Sequence, residues 1–353
     1  MSSIKEVARE AGVSTATVSH VINNTRYVSG EVTARVEAAI AKCQYYPNAH
    51  ARSLASGKSD IIGLVISDIA NPFFPELVKA IEAAAFERGY DVILSNTNYN
   101  TQRTSHYVRR FIERKVAGVA IMTSEMDKSL VDELARCEVP AVFLDVGHPG
   151  AHMSNVVVDY NSGIEQAIRH LVALGHRRIA FISGSPKLRS SRRRLEAYQR
   201  IMERLLPGEP ELLFKGDFKV DGGRRAAAEL LKSRAKDMPT AVIAANDLMA
   251  IGAISEIESA GLNVPADVSV IGFDDIALAA VTRPALTTVH LPLGDLGAKA
   301  VEVLLGSLED MAKAGVEVKI PATLVVRDST AAASRYPGRG VRAGKKSSAK
   351  QTA

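Results

Sequence analysis

The stretch from residue 4 to residue 23 constrains the fold most, because it predicts two short helices joined by a tight turn. Gly12 is free to adopt a positive φ, which suits the end of the first helix. Ser14 is a preferred residue for capping the start of the second helix. Two short amphipathic helices joined by a turn that contains Gly predict a helix-turn-helix. The apolar residues at helical spacing are Ile4, Val7, Ala8 and Ala11, then Val18, Val21 and Ile22.

The outer face of the second helix carries small and polar side chains. In a helix-turn-helix this helix lies in the major groove of DNA, where such side chains can approach the base edges. The alternative is an ordinary helical hairpin that caps a larger fold. We interpret the segment as a DNA-binding module. Its candidate DNA-contacting residues are Thr15, Ala16, Thr17, Ser19, His20 and Asn23.

The length and composition of the chain predict a soluble protein of two or three domains. It has 353 residues, of which 46% are hydrophobic, enough to bury several cores. No apolar run reaches roughly 18 residues and the first residues do not resemble a secretion signal, so we expect a cytoplasmic protein without a membrane partner. Cys43 and Cys137 are too few and too far apart for a disulfide framework or a metal cluster. We expect two buried free thiols and no metal site.

Positive charge is concentrated at the end of the chain. The formal net charge is +5, and residues 331–353 contain six basic residues and no acidic one, which leaves the first 330 residues at −1. A nearly neutral body does not favour broad adhesion to nucleic acid, so DNA affinity must come from a focused surface. The tail is rich in Gly, Ser, Ala and Lys and is expected to be disordered. The alternative is that it adds non-specific contacts to phosphates.

From residue 60 onward, apolar strands alternate with helices such as 76–87 and 163–173. Apolar runs without clean polar alternation are typical of buried parallel strands covered by helices on both faces. This pattern predicts an α/β core with parallel sheets. The predicted strands are 61–66, 91–95, 117–122, 140–145, 178–183, 241–246 and 268–274.

Polar and aromatic residues follow several of these strands. Ligands of open α/β sheets bind beyond the carboxyl ends of the strands, so we expect a cleft there. Carboxylates, amides and an arginine can hydrogen bond a small polar molecule, while phenylalanines cover its C–H faces, as a sugar or nucleobase requires. The alternatives are cap or turn roles for Asn246 and Asp274 and a core role for Phe218. The candidate effector-binding residues are Asn71, Phe73, Phe74, Asp145, Ser190, Arg194, Phe218, Asn246 and Asp274.

The chain resembles the LacI/GalR family of bacterial transcription regulators over nearly everything up to about residue 330. The matching segments are IKEVA at 4–8, AGVS at 11–14, TVSHVIN at 17–23, YPN at 46–48, ARSL at 51–54, NPFF at 71–74, LGH at 174–176, ND at 246–247, VP at 264–265, DVSVIGFD at 267–274 and PALTT at 284–288.

The resemblance implies an N-terminal all-α helix-turn-helix domain, followed by an α/β core of two lobes with parallel sheets, as in periplasmic sugar-binding proteins. The implied parts are residues 1–46 for the DNA-binding domain, 47–59 for a hinge and 60–330 for the effector-binding and dimerisation domain. Lobe 1 then comprises about 60–160 and 292–320, and lobe 2 about 161–290 and 321–330. Residues 331–353 remain as the disordered basic tail. A homodimer would match a near-palindromic operator.

The resemblance also assigns residues. Thr15, Ala16 and His20 match positions that contact bases, and Arg194 matches an arginine that holds the ligand. The hinge favours helix over residues 49–56, which is shorter than the roughly 12–15 residues that an isolated helix needs. The family forms this helix when two subunits meet on DNA. Leu54 matches a residue that wedges into the minor groove, and Ala51 precedes it on the same helix. The alternative is a flexible linker.

These observations predict a repressor whose operator affinity is controlled by a small effector, with no cofactor. Val146 stands where other members carry Trp, which disfavours a purine and favours a pentose, hexose or nucleoside. We expect a sugar, and the alternative is a purine- or nucleoside-responsive regulator. A sugar-handling enzyme is the alternative from another class. Against it, the chain lacks the phosphate-binding GxxxxGK[ST] and GxGxxG motifs, the zinc motif HExxH and a recognisable Ser-His-Asp arrangement. The N-terminal helices and the missing secretion signal disfavour a transport binding protein.

Overall fold

A computed structural model describes residues 2–46, 59–123, 126, 128–145, 150, 152–233, 237–309 and 314–333. The chain divides into two compact units, which end and begin at Asp60 and Ile61. In the described residues no helix is long and apolar enough to cross a membrane.

The first unit is a head of three helices, and the first two form the helix-turn-helix that the sequence predicts. Ser3 and Glu6 form a reciprocal capping box at the start of the first helix, and Gly12 ends that helix with φ +64°. The Ser14 hydroxyl accepts a hydrogen bond from the backbone N–H of Thr17 and so caps the second helix. The helices are α1 (Ile4–Ala11), α2 (Thr15–Asn23) and α3 (Gly30–Cys43). Their shared core contains Val7, Ala8, Ala11, Val18, Val36 and Ala39.

The second unit contains two six-stranded sheets. In the first sheet every described neighbouring pair is parallel, and the strand order is β11-β5-β4-β3-β1-β2. Its strands are β1 (Ile61–Ile66), β2 (Asp91–Asn96), β3 (Gly118–Met122), β4 (Ala141–Leu144), β5 (Met153–Val158) and β11 (Glu317–Ile320).

The second sheet has the order β12-β10-β9-β8-β6-β7, and its edge strand β12 runs antiparallel to β10. The other described strand pairs of both sheets are parallel, as the sequence predicts, and this edge strand departs from that pattern. Only two residues separate β11 in the first sheet from β12 in the second. The chain therefore enters the second sheet at the carboxyl ends of its strands, where Thr323 pairs with His290, and must run the opposite way. The strands are β6 (Ile179–Ser183), β7 (Leu212–Lys215), β8 (Ala241–Ala244), β9 (Ser269–Asp274), β10 (Thr287–His290) and β12 (Thr323–Val325).

Helices cover both sheets. We call the first sheet with α4, α5, α6 and α11 lobe 1, and the second sheet with α7 to α10 and the 3-10 helix lobe 2. Gly297 lets α11 approach α4 closely, since a Cβ there would lie 2.8 Å from the carbonyl carbon of Ala80. The helices are α4 (Phe73–Phe86), α5 (Thr101–Glu113), α6 (Lys128–Arg136), α7 (Tyr160–Ala173), α8 (Arg189–Leu205), α9 (Val220–Leu230), α10 (Asp247–Ser259), the 3-10 helix Ala277–Ala280 and α11 (Leu293–Glu309).

Three expectations need correction. The packed chain extends past residue 330, because the backbone N–H of Ala333 donates to Leu174 and the Ala331 carbonyl meets a ring nitrogen of His176. Helix α4 begins at Phe73, before the predicted residue 76, because Asn71 accepts a hydrogen bond from its first N–H. Neither cysteine is buried as expected: Cys43, the last residue of α3, is half-buried, and Cys137, which follows the last residue of α6, is exposed.

Candidate functional site

On the outer face of α2, some side chains are exposed and others hydrogen bond to neighbouring residues of the head. Thr15 and Ala16 are exposed, whereas the other predicted DNA-contacting residues on α2 are half-buried. The Thr17 and Ser14 hydroxyls are 2.9 Å apart, so Thr17 supports the helix cap. The His20 ring meets the Thr25 hydroxyl through Nδ1 at 2.9 Å, which leaves its Nε2 edge for other partners. The predicted DNA contacts Ala51 and Leu54 lie outside the described residues.

A cleft lies between the lobes, at the carboxyl ends of both sheets, where the sequence predicts it. Of the nine predicted effector residues only Asn246 does not line it. The lining residues from lobe 1 include Asn71, Phe73, Phe74 and Asp145, and those from lobe 2 include Ser190, Arg194, Phe218 and Asp274.

Arg194 forms the floor of the cleft on lobe 2. Its Nη2 donates to Asp274 Oδ1 at 3.0 Å, and its Nη1 donates to the carbonyl oxygen of Ala245. The guanidinium carbon lies 4.1 Å from the centre of the Phe273 ring and 4.9 Å from that of Tyr160. Its Nε–H is buried and meets no partner among the described residues. The guanidinium group is therefore held rigidly by protein groups.

Asp274 ends β9 beside this arginine and is almost fully buried. Burial raises the pKa of its carboxyl group to about 6, against the opposing effect of Arg194, and Glu76 raises it further. The carboxyl group therefore titrates close to neutral pH.

Asp247 lies behind Asp274 and holds its loop. One carboxylate oxygen accepts from the backbone N–H of Ile276 at 2.8 Å, and the other accepts from the Thr288 hydroxyl. Burial, with Asp274 nearby, raises the pKa of Asp247 well above its ordinary value. Asp247 therefore supports the loop without lining the cleft.

Asn246 acts on the cleft through its neighbours. Its Oδ1 accepts from the backbone N–H of Met249 and caps α10, and its Nδ2 donates to the Phe218 carbonyl at 3.1 Å. Both polar atoms have protein partners and the side chain is buried. The cap alternative thus describes its contacts, and Asn246 holds the aromatic ring of Phe218 in the cleft wall.

Lobe 1 contributes an aromatic wall. Phe73 and Phe74 begin α4 and pack edge to face, with ring centres 5.3 Å apart. Asn71 fixes this helix start by accepting from the Phe73 N–H. Aromatic faces next to a few polar groups are typical of small-molecule sites.

Sequence reasoning missed several polar residues at the cleft, and two of them contact Asp145. Tyr160 lines the cleft and donates its hydroxyl to Asp145, and Arg193 forms an ion pair with the same carboxylate. The signal for Tyr160 was the apolar run at 153–158, which predicts one more strand whose carboxyl end it follows. Arg193 carried no signal separate from its two arginine neighbours. In the described part of the chain no group of three or more potential ligands could hold a metal ion.

Comparison with known proteins agrees with this architecture. Residues 3–48 match the model for bacterial regulatory proteins of the lacI family, and residues 168–330 match a periplasmic binding protein-like domain. A transcriptional repressor named PurR from Aliivibrio salmonicida is 36% identical over 312 residues, which cover 88% of this chain and 93% of the relative. The chain belongs to the LacI family of bacterial regulatory proteins.

Two other LacI-family proteins extend the comparison. The ribose operon repressor of Escherichia coli is 40% identical over 310 residues, covering 86% of this chain and 92% of the relative. A structure of the lac repressor dimer bound to operator and the anti-inducer ONPF superposes with a TM-score of 0.84 at 32% identity, covering 94% and 99% of the two chains. The chain is thus a DNA-binding regulator with a LacI-type core. Which residues contact DNA and effector stays a prediction.

Proposed function

We propose that this LacI-family regulator is a homodimeric, cytoplasmic repressor without enzymatic activity, whose operator affinity is set by a sugar bound between the two lobes. The observation that carries the proposal is the Arg194–Asp274 pair at the cleft floor, which places guanidinium donors next to a carboxylate acceptor. A sugar hydroxyl both donates and accepts, so it can satisfy these two groups at once.

The charges of the cleft support a neutral effector. Arg194 is paired with Asp274 at 3.0 Å, and Arg193 is paired with Asp145 at 3.1 Å. Each of these positive charges is matched by a negative one, so an anionic ligand would gain little from them. The Phe73 and Phe74 rings can cover the C–H face of a sugar ring. The name of the ribose operon repressor makes ribose the first sugar to test.

The head and the operator-bound dimer of the lac repressor support DNA binding as a dimer. One helix-turn-helix covers one half-site, and two-fold symmetry supplies the second. The relatives that match over most of their length are named repressors, which supports repression and the absence of an enzymatic activity.

The test is a thermal-shift screen with D-ribose, other pentoses and hexoses, nucleosides and purine bases. A true effector at a hundred times its dissociation constant should add roughly 2.7 kcal/mol to the unfolding free energy. We expect a sugar to do so, to be recovered unchanged, and to alter binding to an operator selected from random DNA. Stabilisation by a purine base or nucleoside alone would overturn the sugar assignment, and conversion of the sugar would indicate an enzyme.

A further inference from the structure

Asp145 is the one predicted effector residue whose carboxylate is held mainly by the opposite lobe. It follows β4 in lobe 1, is 2% exposed and adopts φ +67°. A positive φ is uncommon for residues other than Gly and persists where surrounding contacts hold it. The hydrogen bonds of the Asp145 carboxylate therefore indicate which groups hold the residue in this conformation.

Its strongest hydrogen bonds come from lobe 2. The Tyr160 hydroxyl donates to Oδ2 at 2.6 Å, and Arg193 Nη1 donates to Oδ1 at 3.1 Å. From its own lobe it receives the Val158 N–H, at the longer distance of 3.4 Å. Burial raises the pKa of Asp145, against the opposing effects of Tyr160, Arg193 and Arg194. A carboxylate this deeply buried needs hydrogen-bond donors in place of the lost water, and the two shorter bonds come from lobe 2.

The two donors differ in where they lie along lobe 2. Tyr160 is the first residue of α7, next to the point where the chain leaves lobe 1, and the preceding Asp159 N–H donates to Ile320 of the first sheet. Arg193 lies on α8, away from this crossing. If the lobes separate, Tyr160 stays close to Asp145 and the Arg193 contact breaks.

The three consecutive arginines of α8 have three different partners. Arg192 donates to the carbonyls of Pro186 and Lys187 in its own lobe. Arg194 points into the floor, as described above. Arg193, with its side chain 30% exposed, reaches across the cleft. Successive residues point in directions about 100° apart on a helix, so one segment serves all three contacts.

We propose that Arg193 and Tyr160 are positioning residues that hold lobe 1 against lobe 2 through Asp145 and so set the fraction of molecules whose cleft is closed. Arg193 supplies the bond that depends on closure, and Tyr160 presents the carboxylate to it. A second contact between the lobes, from the Ala277 N–H to Glu76 at 3.2 Å, limits the effect of losing the first.

The consequence for effector binding rests on the proposed function. If only the closed form holds the effector, the apparent dissociation constant equals the intrinsic one divided by the closed fraction. Arg193 would then control affinity without contacting the sugar, and its loss would raise the apparent dissociation constant by about the factor by which closure is lost.

Closure can be measured without an effector through a thiol placed in the cleft. Ser67 lines the cleft and is buried, so Ser67→Cys, in a chain whose Cys43 and Cys137 are replaced by Ser, reacts with a thiol reagent only when the lobes part. Ser269 is buried at the start of β9 in lobe 2, at the end of that strand away from the cleft. Ser269→Cys therefore reports unfolding of lobe 2 as a whole. The modification rate at position 67 divided by the rate at position 269 therefore measures opening of the cleft separately from unfolding.

We expect Arg193→Ala to raise the modification rate at position 67 about tenfold, within the usual range of coupling between sites, with no change at position 269. Arg193→Lys should restore most of the protection because it keeps the charge, and Tyr160→Phe should have a smaller effect. The matched control is Arg192→Ala, which removes an adjacent arginine bonded only within lobe 2 and should leave the rate unchanged.

Unchanged reactivity at position 67 in Arg193→Ala, or an equal rise at both positions, would overturn the proposal. D-ribose is then added to the wild-type and Arg193→Ala proteins as a separate measurement. Failure of ribose to protect position 67 in the wild-type chain counts against the ribose assignment alone, because the closure rates are measured without it. If ribose protects the wild type, its dissociation constant should rise in Arg193→Ala by the ratio of the wild-type closed fraction to the variant closed fraction, which the modification rates give.

Discussion

The head and the two-lobed core differ in how far apart along the sequence the residues joined by their hydrogen bonds lie. In the head, the caps that start α1 and α2 join residues three positions apart, such as Ser14 and Thr17. In the core, Arg194 and Asp274 are 80 positions apart, and the contact between Ala277 and Glu76 spans 201. The predicted DNA contacts on α2 are therefore presented by local structure, whereas the predicted effector site forms only when distant segments pack. The two functions should be separable by mutation.

The largest expected effect comes from Arg194→Ala, which should abolish stabilisation by the effector while operator affinity without effector stays nearly unchanged. Truncating one partner of a buried charge pair typically costs about 2–5 kcal/mol. Arg194→Lys keeps the charge but loses the planar fork, so an intermediate loss is expected. Thermal shift with the identified sugar and fluorescence anisotropy with operator DNA measure the two functions separately.

Arg192→Ala is the control, since this arginine donates only to backbone groups of its own lobe. If Arg194→Ala or Arg194→Lys lost operator binding without effector, Arg194 would be structural and the separation between head and core would fail.

A change of operator preference without a change of effector binding is expected when Thr15, Ala16 and His20 are exchanged together for the residues of another family member. The preferred half-site should change, at about 1–3 kcal/mol for each lost base contact. Effector binding should not change, because the head folds on its own core. Selection of operators from random DNA, before and after the exchange, measures the preference. Equal weakening on all sequences would mean that these side chains do not read bases.

A smaller effect is expected from a change of pH, which should alter effector binding by the core and leave DNA binding by the head unchanged. The pKa of Asp274 is about 6 without effector, raised by burial and Glu76 and opposed by Arg194. A ligand that needs the ionised carboxylate lowers this pKa, so effector affinity should fall by up to about tenfold per pH unit below 6 and stay constant above it. Because the folded pKa is raised, the contribution of Asp274 to the unfolding free energy decreases as pH rises from about 4 to 6.

Calorimetric titration of the effector between pH 5 and 7.5 tests this dependence, with Asp274→Asn as the comparison. That variant should bind weakly and with little pH dependence. A wild-type affinity that is constant across this range would show that Asp274 does not meet the effector as a carboxylate.

The elements that the sequence predicted best are those with strong local patterns. The strand at 61–66 was placed to the residue, and the other predicted strands to within one or two, because most of them are continuous apolar runs that are buried in the sheet. Five strands were missed. Strands β7, β10, β11 and β12 have only three or four residues and, at the sheet edges, partly exposed side chains. Strand β5 is longer, but the polar residues Ser154 and Asn155 interrupt its apolar pattern. Short edge strands carry too little periodicity to be recognised.

In the candidate cleft, too, some residues could be predicted from local sequence patterns and others could not. Residues that end predicted strands, such as Asp145 and Asp274, could be assigned to it, because parallel strands bring their carboxyl ends together. Asn246 ends a strand too, yet packing turns its amide toward Phe218 and Met249. Its contacts could not be read from its position in the chain.

By itself, the sequence determined the helix-turn-helix, the α/β core and most of the cleft residues, because caps, turns and apolar runs act over a few neighbouring positions. Only the tertiary structure decided that β12 runs antiparallel and that Arg193 pairs with Asp145 while Arg192 does not. Such outcomes depend on which surfaces meet after the lobes assemble. Neighbouring arginines have the same local propensities, and their different roles come from the direction in which the folded helix points each side chain.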